Sequence, residues 1–231
     1  MTDEGVSTPT SHIVRRVLLA SAGNFLEWYD FAVFGMFATE IGAAFFPDHD
    51  PRTALLHTFT LFAAAFIVRP IGGVVFGHIG DRYGRERALL LTILMMAGPT
   101  LAIGLLPTYA TLGAASTVLL ALCRLVQGLA AGGELPGALV YAVETAGPQH
   151  HGFFGALVQA TGAGSLLASL VRAVLHALLG DDGLKAWGWR IPFLLGGLIA
   201  LLTCCLRRSM TATPAWQAAQ SERSPAGTVV C

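Results

Sequence analysis

Between Gly77 and Arg87 the chain reads Gly-His-Ile-Gly-Asp-Arg-Tyr-Gly-Arg-Glu-Arg, a short, net basic interruption between two long apolar stretches. A soluble domain has no need of such a hinge, whereas two membrane helices that reverse direction within a few residues do. Gly77 is expected to let one helix end approach its neighbour, and Gly84 to supply a turn conformation that other residues resist. Asp81 is placed to cap the next helix start, and Arg82, Arg85 and Arg87 to hold the turn on the cytoplasmic side.

Composition agrees with a membrane setting. Only 12% of residues are charged and 54% are hydrophobic, against about 25% charged in soluble domains. Mean hydropathy is +0.64, and formal net charge is zero, which argues against a nucleic-acid partner. Cys123, Cys204, Cys205 and Cys231 have neither disulfide nor metal-ligand spacing and read as small hydrophobes. No metal site or cofactor is expected. The motifs G-x-S-x-G and H-E-x-x-H and a phosphate-binding loop are all missing, so the chain does not read as an enzyme. The start of the chain lacks the pattern of a cleavable signal peptide.

A membrane-spanning helix needs about 20 mainly apolar residues. Six spans are expected near 18–45, 55–79, 88–106, 113–143, 152–179 and 189–206, separated by turn chemistry such as Pro47-Asp48-His49-Asp50-Pro51, Pro107-Thr108, Gly147-Pro148 and Gly180-Asp181-Asp182-Gly183. This gives a cytoplasmic segment 1–17, an all-α transmembrane domain 18–206 and a polar tail 207–231. With the N-terminus inside, Arg15, Arg16, Arg82, Arg85, Arg87, Arg207, Arg208 and Arg223 are cytoplasmic, and only Arg52, Lys185 and Arg190 face out. The expected location is the cell inner (plasma) membrane, with both termini cytoplasmic.

Glu27, Asp30, Arg69, Arg124, Glu134 and Arg172 fall within spans. An ionisable group in hydrocarbon is costly unless it pairs or meets water. At ~1.5 Å per residue, Asp30 lies ~18 Å from the inner end of its span and Arg124 ~16 Å from the outer end of its own. In a core ~30 Å thick both are near the midplane. Glu27, Asp30, Phe31 and Phe34 share helical spacing, as do Arg124, Gln127, Gly128, Ala131 and Glu134. The acid and the Arg are therefore expected to pair, and two readings stand: a structural ion pair, or a carboxylate whose protonation follows its surroundings. Arg69, followed by Pro70, is read either as a satisfied Arg at a kink or as a guanidinium fork for a substrate carboxylate. Arg172 is expected to snorkel without a role. Glu134 is expected in a cytoplasmic gate contact, and Trp187 and Trp189 as interfacial anchors.

The turn pattern G-x-x-x-D-R-x-G-R-x-R closely resembles the loop between helices two and three of the major facilitator superfamily. Four further segments carry the resemblance: Gly23 to Phe31, Arg69 to Gly73, Arg124 to Glu134, and Trp187 to Phe193. Together they resemble the metabolite:proton symporter family, which includes permeases for α-ketoglutarate, citrate, shikimate and proline/betaine. The resemblance runs from about residue 18 to 220 and implies twelve spans in two six-helix halves with substrate bound between them. Asp30, Arg124 and Glu27 are expected in proton coupling, and Arg69, Gln127, Asn24 and Tyr29 at the substrate. The cytoplasmic gate would comprise Gly77, Asp81, Arg82, Gly84, Arg85, Arg87, Glu134, Glu144 and His151.

Two departures concern that gate: Glu86 stands where the motif carries a basic residue, and His151 replaces an Arg seven positions after Glu144. A larger one is that only six spans are present. The chain is therefore expected to be the N-terminal half of such a transporter, moving a small organic acid or zwitterion with protons across the bilayer and lacking its C-terminal half. The alternatives are an efflux antiporter or passive carrier of the same fold, and a non-transporting half-subunit that needs a partner half. A lone half is expected to turn the polar stripe with Asp30 and Arg124 toward lipid, and so to be unstable or to pair.

Overall fold

The computed structural model describes residues 10–47, 50–146, 148–208, 210 and 212–223. The expected turn residues Asp48, His49 and Gly147, most of the N-terminal segment, and Cys231 lie outside them. Among the described residues the secondary structure is entirely helical.

The helices are α1 (Thr10–Met36), α2 (Ala38–Phe45), α3 (Pro51–Ile67), α4 (Arg69–Tyr83), α5 (Arg85–Leu105), α6 (Tyr109–Leu112), α7 (Ala114–Ala146), α8 (His151–Gln159), α9 (Gly164–Ala186), α10 (Ile191–Arg207) and α11 (Pro214–Arg223). They resolve into six transverse runs. α1 leads into α2. α3 joins α4 at Val68, one residue before the Arg69-Pro70 pair, because a proline ring cannot sit against a continuing helix interior. α8 joins α9 through a tighter turn of helix over Ala160–Ala163. Five runs are long and apolar enough to cross a membrane: Pro51–Tyr83, Arg85–Leu105, Ala114–Ala146, His151–Ala186 and Gly188–Arg207. α1, which carries Asn24, Glu27 and Asp30 on one stripe, is not among these five.

α7 is the centre, packed against α1, α3, α4, α5 and α8, while α5 also lies along α10 and α1 along α9. One end of the bundle is filled by Val33, Phe34, Phe37, Ile41, Phe45, Trp189 and Phe193. Trp189 is therefore core rather than an interfacial anchor: its indole packs edge-on to Phe45 and Phe193, while Trp187 is exposed. At that end Asp50 caps α3, accepting from the Arg52 and Thr53 amides and the Thr53 hydroxyl, and these bonds hold its carboxyl below the usual range, the hydroxyl first.

The contact of α3 and α4 with α7 is made by glycines. A Cβ on Gly128 would collide with the Ala65 carbonyl, one on Gly132 with the Arg69 carbonyl, and one on Gly72 with the Leu129 carbonyl. Gly128 and Gly132 form a G-x-x-x-G step, which lets membrane helices approach backbone to backbone. Gly128 thus serves packing rather than the polar stripe to which its spacing assigned it. Gly77, expected to make such an approach, has nothing within 4 Å of where its Cβ would stand. Gly84 does sit in a conformation reserved for glycine, at φ 106°.

Candidate functional site

Asp30 and Arg124 meet near the middle of the bundle. Arg124 Nη1 donates to Asp30 Oδ2 at 2.8 Å, and the two residues are 3% and 0% exposed. Asp30 Oδ1 accepts from Thr100 Oγ1 of α5 and Gln127 Nε2 of α7, each at 3.0 Å. Gln127 also accepts from Arg124 Nη1 at 2.6 Å and donates to Thr100 Oγ1 at 2.8 Å. The Arg124 guanidinium lies 3.7 Å from the Phe34 ring centroid, so an aromatic face covers the side that the carboxylate leaves bare. Thr100 Oγ1 is also 2.8 Å from Met96 O. One hydroxyl proton therefore has two acceptors. With Thr100 donating to Asp30 the carboxylate is served; with Thr100 turned to Met96, its lone pair can accept from a protonated Asp30. The cluster thus accommodates both states of the acid without moving a helix.

Six helices alone bury this cluster. The expectation that it would face lipid is corrected: the α1 and α7 stripes point at each other and at α5, so the carboxyl, the amide and the guanidinium meet inside the bundle, with Arg124 Nη1 making the bonds and Arg124 Nε and Nη2 buried without a protein partner.

One turn along α1, Glu27 Oε1 pairs with Arg69 Nη2 at 3.0 Å. The Arg69 guanidinium sits 4.3 Å from the Phe31 centroid and 4.1 Å from that of Phe66, with a quarter of its side chain exposed. Arg69 is thus engaged, not a free fork. The pair is a single-point contact, and Glu27 Oε2 and Arg69 Nε are buried with no bond to the protein. Asn24, a further turn away, donates Nδ2 to Thr161 Oγ1 in the tight turn between α8 and α9, and its Oδ1 is likewise unbonded. Tyr29 and Gln127, expected at the substrate, lie apart from the Arg69–Asn24 group: Tyr29 Oη donates to Pro192 O at 3.0 Å beneath Gly196, and Gln127 bonds within the Asp30 cluster.

At the Gly84 end, Asp81 does not cap α5, whose first turn starts from Gly84 without a side-chain cap. Asp81 binds Arg85 Nη2 at 2.7 Å instead, and Arg85 Nε reaches Glu144 Oε1 at 3.4 Å. Glu144 also accepts from Thr213 Oγ1 at 2.5 Å, and Trp216 Nε1 of α11 donates to the Asp81 carbonyl at 3.3 Å. Arg82 lies over the Tyr83 ring and Arg87 is exposed. His151 begins α8 half-buried, and the ion pairs of Glu144 among the described residues run to Arg85 alone. Glu134 is not part of this surface group: it is fully buried against Arg207 and Thr92. Arg207, counted in the sequence among the cytoplasmic charges, is interior. Arg172 does not simply snorkel; its Nη2 pairs with the buried Glu40 at 3.1 Å.

The partners that sequence spacing missed are Thr92, Thr100, Glu40 and Arg207. The two threonines share one face of α5 two turns apart, a signal hidden because threonine is common in apolar helices. Arg207 ends an apolar run, where a basic residue ordinarily marks the membrane surface.

The family model described as "Sugar (and other) transporter" matches residues 16–231. The chain is 37% identical over 204 residues to a proline/betaine transporter of Salmonella typhimurium strain LT2, covering 88% of this chain and 41% of that protein. It is 41% identical over 208 residues to the alpha-ketoglutarate permease of Escherichia coli strain K12, covering 90% and 48%. The chain thus spans a little under half the length of these relatives. Among solved structures, the proton:xylose symporter XylE of the major facilitator superfamily, bound to 6-bromo-6-deoxy-D-glucose, superposes with a TM-score of 0.79 at 22% identity, over 94% of this chain and 48% of that one. An inward-open XylE from E. coli gives 0.76 at 22% identity, over 90% and 50%. This likeness carries the fold.

Proposed function

This chain belongs to the sugar (and other) transporter family, with the major facilitator fold, and we propose that it forms the proton-coupling half of a secondary active transporter for a small carboxylated metabolite. Asp30 takes and releases the coupled proton, Arg124 with Gln127 and Thr100 sets its affinity, and a second six-helix unit completes the substrate cavity. Both termini lie in the cytoplasm. The observation that carries this reading is Thr100: a hydroxyl 3.0 Å from Asp30 Oδ1 and 2.8 Å from Met96 O serves either protonation state of a carboxyl sealed from water. Transporters use such intramembrane acids as proton relays. The relatives' substrates, proline or betaine and alpha-ketoglutarate, all carry a carboxylate, which fits the proposed class.

The test is uptake into proteoliposomes by residues 1–231 joined to a complementary six-helix unit. In Asp30→Asn, accumulation driven by a proton gradient is expected to disappear while counterflow exchange of substrate persists. Undiminished uphill uptake by that variant overturns the assignment. Residues 1–231 alone are expected to give no saturable uptake, because alternating access needs one repeat to rock against another.

Arg69 is the proposed substrate contact. Glu27 acts as its resting counter-ion, and the substrate carboxylate takes over the guanidinium, with the Phe31 and Phe66 faces holding its plane. Lys retains the charge but loses the planar fork. Arg69→Lys is expected to weaken binding by roughly 1.5–3 kcal/mol, the scale of a charged hydrogen bond, read as the concentration of half-maximal exchange. Equal affinity in the variant and wild type assigns Arg69 to the kink alone.

A further inference from the structure

Arg207 uses every donor it has. Nε bonds Leu19 O at 3.0 Å, Nη1 bonds Leu89 O at 2.6 Å and Glu134 Oε2 at 3.3 Å, and Nη2 bonds Ala20 O and Glu134 Oε1. Thr92 Oγ1 donates to the same Glu134 oxygen that Nη1 reaches. The acceptors lie on α1, α5 and α7, and those helices also carry Asp30, Thr100, and Arg124 with Gln127. Space for the pair is provided by Gly23, where a Cβ would collide with Glu134 and Arg207.

The two clusters are in register. Gly23 precedes Asp30 by seven residues on α1, Gln127 precedes Glu134 by seven on α7, and Thr92 precedes Thr100 by eight on α5. At 1.5 Å per residue each step is roughly 10–12 Å; the seven-residue steps fall about 20° short of two full turns and the eight-residue step about 80° beyond them, which keeps each pair within one broad helical stripe. The clusters are therefore consecutive polar layers through one three-helix interface, and Arg207 enters the lower layer from α10. The other ion pairs of the bundle contrast with it. Glu27–Arg69 and Glu40–Arg172 make single-point contacts and each leaves one acceptor and one donor unbonded, and Asp30–Arg124 leaves Arg124 Nε and Nη2 unbonded, whereas neither Glu134 nor Arg207 leaves any. A bidentate pair closed on all sides fixes geometry most strongly.

We infer that Arg207 is a positioning residue: through Glu134 and the α1 and α5 carbonyls it sets the axial register of three helices, and so the distances around Asp30. This rests on the reading of the Asp30 cluster as the coupling site, but the two fail separately, since uptake tests the latter and a stability cycle tests the former. Melting temperatures of the full chain in nanodiscs are measured for Arg207→Lys, which keeps the charge and loses the fork, for Asp30→Asn, and for the double variant. Independent sites at this separation have additive effects. The expectation is coupling, with the loss caused by Arg207→Lys reduced by about half in the Asp30→Asn background, because a register no longer read by Asp30 strains less. Additive losses overturn the inference and leave Arg207 a local staple. If Arg207→Lys does not fold, Thr92→Val, which removes one hydrogen bond to Glu134, enters the same cycle with the same two outcomes.

Discussion

Replacing Arg124 by Ala is expected to destabilise the bundle by about 3–5 kcal/mol, the cost of breaking a buried pair from one side. The variant leaves Asp30 without its charge partner at 3% exposure, and leaves Gln127 Oε1 without its donor. It also removes the cation from the Phe34 face. The size of the effect comes from the stranded carboxylate, so neutralising that group is expected to restore much of the loss. In Arg124→Ala/Asp30→Asn, the Asn amide can still meet Thr100 and Gln127, and stability is expected to exceed that of Arg124→Ala alone. Reversible unfolding of the chain in bicelles, followed by tryptophan emission, reads both variants. A double variant less stable than Arg124→Ala rejects the ion-pair account of this site and makes Arg124 a packing residue.

The sequence made the bundle legible because its signals are local. Apolar run length marks each span, and Gly84 marks a turn that needs a positive φ. The Asp30–Arg124 pair was legible for a related reason: two lone charges at matched depth have few ways to avoid lipid except each other. What stayed hidden depends on rotation about a helix axis and on distant partners. Gln127 and Arg124 share a face by spacing, but only the packing of α5 brings Thr100 to both. For Arg69 the choice between a satisfied Arg and a free fork stays open in the sequence because its counter-ion Glu27 sits on another helix. Spacing puts Glu134 on the α7 stripe and near a span end, and Arg207 at the end of an apolar run, but neither signal shows that the two side chains turn inward and meet. The same limit explains Gly77 and Gly128, whose roles depend on which neighbour faces them.

Gly132→Val is expected to destabilise the chain by about 1–3 kcal/mol or to prevent its assembly, the range for overpacking a fitted interface. The collision is with the Arg69 carbonyl and the Gly73 amide, both backbone, so no side-chain rotamer can relieve it. Relief requires α7 to move off α4, which pulls on the Glu27–Arg69 pair and on Gly128 one turn away, packed on the Ala65 carbonyl. Gly77→Ala is the control within the same pair of runs. It lies in α4 with nothing within 4 Å of the added methyl, so it is expected to be neutral or to stabilise by up to about 1 kcal/mol, the helix preference of Ala over Gly. Side-by-side unfolding of the two variants separates close approach from simple backbone freedom. If Gly132→Val unfolds with the wild type, or Gly77→Ala loses as much as Gly132→Val, then α4 and α7 are not held by the glycine contact and the position of Arg69 beside Glu27 has another cause.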